Sequence, residues 1–115
     1  MAEVVVFHHV YGLTSGVRDF AERLGEAGHT VHVPDLYDGR VFDDFEEGAA
    51  YAQEVGFGTI IERGRLAAEQ LPAEIVYVGF SLGVLPAQML AQTRPGARGA
   101  LLLSACVPTS EFGGA

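Results

Sequence analysis

A single cysteine, Cys106, among 115 residues leaves no partner within the chain, so no internal disulfide staples the fold. Basic residues are scarce. Seven Lys and Arg stand against 15 Asp and Glu, a formal net charge of -8 that opposes binding to nucleic acid or to an anionic membrane surface. No long apolar run opens the chain: Met1 to Val10 has no basic n-region and only a short hydrophobic stretch before His8 and His9, which fits neither a signal peptide nor a membrane span. The turn after that stretch lacks G-x-G-x-x-G, and no Walker A lysine is present. No repeat and no low-complexity segment stands out. These absences favour small-molecule or protein partners, no cofactor and a cytoplasmic setting.

What is present suits an ordinary globular α/β chain: 49% hydrophobic and 19% charged residues, over a length that predicts one domain spanning 1–115. Val4 to Phe7 reads as a first strand. A helix is expected from Gly16 to Ala27, with Val17, Phe20, Ala21, Leu24 and Ala27 on one stripe and Gly28 as its stop. Thr30 to Val33 reads as a second strand closed by Pro34, followed by the turn-rich Asp35 to Gly39. Asp44 with Glu47, and Thr59 with Glu62, resemble capping boxes for helices over about 45–55 and 60–70, separated by Gly56 and Gly58. Ile75 to Val78 and Ala100 to Leu103 are the third and fourth strands. Strands alternating with helices imply parallel pairing through right-handed crossovers, with helices on both faces of the sheet and ligands at the carboxyl ends of the strands. His8, His9, Val10, Asp35, Ser81, Ser104 and Cys106 then share one rim.

The stretch that organises the chain is Val76 to Pro86, where an apolar strand runs into Gly79-Phe80-Ser81-Leu82-Gly83 and then into apolar residues at helical spacing. In G-x-S-x-G the serine occupies a strained strand-to-helix turn that projects its hydroxyl above the sheet, so Ser81 is a candidate nucleophile. Because a helix starts there, the Leu82 N–H has no intrahelical acceptor and can face an oxyanion. The competing reading is a structural tight turn.

Other polar residues have plainer readings. Adjacent His8 and His9 point to opposite faces of a strand and do not converge on one metal, so no metal site is expected. His29 and His32 read as surface residues, Cys106 as a small packed thiol, and Asp43, Asp44, Glu46 and Glu47 as a helix start favoured by its dipole.

Taken together, His8-His9-Val10-Tyr11-Gly12-Leu13, Pro34-Asp35-Leu36-Tyr37 and Gly79-Phe80-Ser81-Leu82-Gly83 resemble the dienelactone hydrolases of the α/β-hydrolase superfamily. The resemblance implies strand order 2-1-3-4, a hydrolase of small esters or lactones, and an oxyanion hole in which the Val10 amide joins that of Leu82. It puts His9, Tyr11, Asp35 and Tyr37 at the expected substrate pocket. Two positions depart from the best-known members: serine replaces the cysteine nucleophile, and His9 stands where glutamate precedes the oxyanion residue. Serine needs a base more than a thiol does. In this superfamily acid and histidine follow the nucleophile, yet no histidine and only one carboxylate, Glu111, follow Ser81. The chain therefore reads as the first part of a longer hydrolase, lacking its C-terminal part and inactive or nearly so by itself: the resemblance puts the base in the absent part, His9 on the neighbouring strand is at most a partial substitute, and the Ala100 to Leu103 edge is open to self-association. A catalytically incomplete fragment and a nonhydrolytic binding module are the alternatives.

Overall fold

The structure, a computed structural model, describes residues 2–103; the expectations placed on Ser104, Cys106 and Glu111 lie outside them. Four strands, β1 (Glu3–Phe7), β2 (Thr30–His32), β3 (Val76–Phe80) and β4 (Gly99–Leu103), form one sheet in the order β2-β1-β3-β4. Every pairing is parallel, as connections through helices require. Helices α1 (Ser15–Glu26), α2 (Phe45–Val55), α3 (Phe57–Glu69) and α4 (Val84–Thr93) supply those connections.

Side chains alternate across a strand, and here the alternation splits the core in two. Val4, Val6 and Val78 face α1, whose Val17, Phe20 and Leu24 complete that layer. Val5, Phe7 and Tyr77 face the other way, onto Ala52 of α2, Ile60 and Ala68 of α3, and Ala87 and Leu90 of α4. The apolar stripe of α1 is as the spacing predicts except at Ala27, which is exposed as the helix ends at Glu26.

Both expected capping boxes are corrected. Asp44 precedes α2 but its side chain makes no capping hydrogen bond. α3 starts at Phe57, ahead of Thr59, because Gly56 at φ 92 ends one helix and begins the next: its N–H bonds to the Ala52 carbonyl, and its own carbonyl accepts from Ile60. Glu62 instead takes Arg65, which also reaches Glu69, in solvent-exposed pairs on α3. α2 and α3 are thus two arms of one corner: α2 and the start of α3 reach the carboxyl end of the central strands, and the rest of α3 packs on the sheet face beside α4.

Candidate active site

Ser81 follows the last residue of β3 and opens a single 3-10 turn, Ser81–Gly83, that leads into α4. Its φ is 53, a left-handed conformation that costs a residue with a Cβ about 1–3 kcal/mol. The flanking glycines are a steric necessity of that turn. A Cβ on Gly79 would lie 2.5 Å from the Gly83 carbonyl oxygen, and one on Gly83 would run into the carbonyl oxygens of Phe7 and His8. The tight crossing of the elbow over the end of β1 therefore decides residue type at both positions.

A cavity of about 380 Å³ opens beside the serine. Ser81, Leu82 and Leu85 form its elbow side, Val10 enters from the end of β1, and Phe45, Ala49, Ala52 and Gln53 of α2 with Phe57 of α3 close the far side. Val10, Ser81 and Leu82 are thereby brought to one place from two strands. α2 approaches Val10 so closely that a Cβ on Gly48 would strike the Val10 carbonyl oxygen. Sequence reasoning missed the α2–α3 contribution; the only available signal was a pair of phenylalanines, each at the first position of a helix.

The two adjacent histidines part as their alternation requires. His8 is wholly buried, and its Nε2 accepts the Leu36 N–H at 2.8 Å while its Nδ1 donates to the His9 carbonyl at 2.9 Å. That pattern is the neutral ring with its proton on Nδ1, and burial lowers its pKa below the usual 6.5. Asp35, 3.7 Å from Nε2, is consequently no ion-pair partner: its carboxylate accepts the Tyr37 and Gly39 amides at 2.8 and 2.9 Å and folds the loop after β2. His9 is half-buried, its pKa also lowered by burial, with its ring edge-on to Tyr11 at 5.3 Å and Phe80 at 6.5 Å. Its Nδ1 accepts the Tyr11 N–H at 3.3 Å, which leaves the ring proton on Nε2.

Of the four residues expected at the substrate pocket, none lines this cavity. Tyr37 is fully buried between His8 and Tyr51, and burial, with Tyr51 beside it, pushes its phenol up to about 12. Asp35 lines a separate cavity with Asp38, Arg63 and Leu66. Tyr11 stacks edge-on with Phe45, so it buttresses a wall residue. Among the described residues no three His, Cys, Asp or Glu converge as metal ligands.

A parallel sheet in the order 2-1-3-4, helices on both faces and a left-handed serine at the carboxyl end of the central strand define the α/β-hydrolase class of fold. The dienelactone hydrolase family matches residues 1–104, and the chain belongs to that family. Among solved structures it is similar to a dienelactone hydrolase-like promiscuous phosphotriesterase from metagenomic libraries, with 22% identity and a TM-score of 0.75 over 90% of this chain and 47% of that one. A protein of Klebsiella pneumoniae described as a dienelactone hydrolase gives 20% identity and a TM-score of 0.67, covering 87% of this chain and 46% of its own. The chain therefore spans about half the length of these solved relatives, and at such identities the likeness is one of fold. No curated protein sequence matches it.

Proposed function

We propose that this chain carries the nucleophile of a serine hydrolase of the dienelactone hydrolase type, which cleaves a small ester or lactone through an acyl-enzyme at Ser81. The observation that carries the reading is the strained Ser81 at φ 53 at the mouth of a cavity it shares with Val10 and Leu82. Strain of this kind persists only where the surroundings enforce it, as the contacts at Gly79 and Gly83 do. In the proposed reaction the Ser81 Oγ attacks the carbonyl carbon, the Val10 and Leu82 amides hold the oxyanion, the alcohol leaves, and water releases the acid. The substrate is a small molecule, and among the described residues no helix is long and apolar enough to cross a membrane.

Proton removal is the weak step in this chain. His8 spends both ring nitrogens on backbone partners, His29 accepts the Ala2 amide and His32 pairs with Glu3 at 2.8 Å. His9 holds its proton on the nitrogen left over from the Tyr11 amide, which makes that nitrogen a donor rather than a base. With no base beside Ser81 among the described residues, oxyanion stabilisation and binding alone leave roughly 10³-fold acceleration over water. Fluorophosphonate labelling of the 115-residue chain tests the reading. Slow labelling that is lost in Ser81→Ala and unchanged in His9→Ala, with similarly slow p-nitrophenyl acetate turnover, is expected. A folded chain that takes no label even after prolonged incubation favours the nonhydrolytic binding module.

A further inference from the structure

We propose that the cavity beside Ser81 selects an uncharged, apolar acyl group, with Phe45 and Phe57 as the specificity-determining side chains and the acidic start of α2 turning anionic substrates away. The inference rests on the reading of Ser81 as the reacting group and deepens it.

Among the described aromatic residues, Phe45 and Phe57 alone are exposed. Phe45 is 56% exposed and Phe57 47% exposed, and both line the cavity that holds Ser81. Each is the first residue of its helix, and Gly56 joins the two helices directly, so both rings sit on one corner and share the serine's cavity. Exposed phenyl surface is unfavourable in water by about 25 cal/mol per Å², and an apolar ligand seated against both rings recovers that energy. Among the described residues the rest of the wall is of the same kind: Val10, Ala49, Ala52, Leu82 and Leu85, with Ser81 and the Gln53 amide supplying its polar side chains. At about 380 Å³ the space lies at the small end of ligand sites, which run from roughly 300 to 1,000 Å³.

Charge selects in the same direction. Among the described residues the cavity wall carries no ionisable side chain, while Asp43, Asp44, Glu46 and Glu47, all exposed, flank Phe45 in the chain. A carboxylate on the acyl group loses water without gaining a cation and meets like charge on entry. An ester or lactone whose acyl part is neutral meets neither cost.

The test is direct binding of the neutral fluorophore N-phenyl-1-naphthylamine to the 115-residue chain, followed by competition with p-nitrophenyl butyrate and with the monoanionic mono-p-nitrophenyl succinate. Saturable binding that survives Ser81→Ala and weakens roughly tenfold in Phe57→Ala and in Phe45→Ala, from the loss of about half a phenyl's contact area, is expected. Phe57→Leu should retain most of it. The butyrate should displace the fluorophore more effectively than the succinate, by a margin that narrows in 0.5 M salt and in the Glu46→Gln, Glu47→Gln variant. No binding, binding indifferent to both phenylalanines, binding abolished by Leu101→Lys on the sheet edge, or equal competition by the two esters at low salt would each overturn the proposal. Loss of fluorophosphonate labelling with fluorophore binding intact would instead sink the nucleophile and leave the pocket standing.

Discussion

At the scale of the residue, Ser81 and His8 hold unfavourable states that the fold enforces, and each leaves a measurable trace. Ser81 bears a Cβ where glycine would be at ease. Ser81→Gly is expected to raise stability by about 1 kcal/mol in denaturant titration while eliminating labelling, whereas Ser81→Ala keeps the strain and leaves stability nearly unchanged. His8 is neutral in the fold because burial lowers its pKa from 6.5. Unfolded, the same ring takes a proton near pH 6.5, so between the lowered and the usual pKa the unfolded chain binds more protons. Its contribution to stability is therefore complete above about pH 6.5 and is lost as pH falls through the folded pKa. Thermal unfolding from about pH 7.5 to about pH 5 should show a declining midpoint in the wild type and a shallower decline in His8→Phe. That variant should also be destabilised by about 1–3 kcal/mol at neutral pH, because the buried Leu36 N–H loses its acceptor.

At the scale of the element, the α2–α3 corner gives the site its far wall, and Gly48 sets how near it comes. The Val10 carbonyl occupies the space a Cβ on Gly48 would need. Gly48→Ala gains helix propensity of about 1 kcal/mol but must push α2 or Val10 aside. The expected outcome is a folded chain, by circular dichroism, whose fluorophosphonate labelling is slowed at least ~10-fold through displacement of the Val10 amide. A substitution that speeds or preserves labelling would remove Val10 from the oxyanion hole. Helix α2 itself was legible from the acidic start at Asp44 to Glu47 and from Gly56, although Asp44 makes no capping hydrogen bond, whereas its closeness to Val10 was not, since no local pattern encodes which backbone a helical glycine will meet.

At the scale of the whole molecule, the sheet has unequal edges. β2 is short, three residues, and tied down by the His32–Glu3 pair. β4 is wholly apolar after Gly99, yet Ala100 and Leu101 are exposed, with Leu101 47% accessible, and among the described residues it pairs only with β3. Apolar strands with one open side template further pairing. Sizing of the purified chain is expected to show concentration-dependent association, reversed by Leu101→Lys; a monomer at every concentration would show that the edge is protected.

Strand positions, the alternation of strands with helices and the serine elbow were determined by local sequence, because apolar runs, glycines and β-to-helix spacing act over a few residues. The candidate Leu82 amide followed from the helix that starts at the serine, whereas the order 2-1-3-4 and the Val10 amide followed from the family resemblance of three short motifs, and the sheet order is the one the fold adopts. Tertiary structure alone decided the pocket. Asp35 and Tyr37 lie near the serine's rim in sequence logic, yet an Asx turn consumes one and the core engulfs the other, while Phe45 and Phe57 reach the cavity only because Gly56 folds two helices back over the sheet. The physical reason is range: hydrogen-bonding and propensity preferences are settled between neighbours, whereas which side chains converge on a cavity depends on the packing of elements distant in the chain.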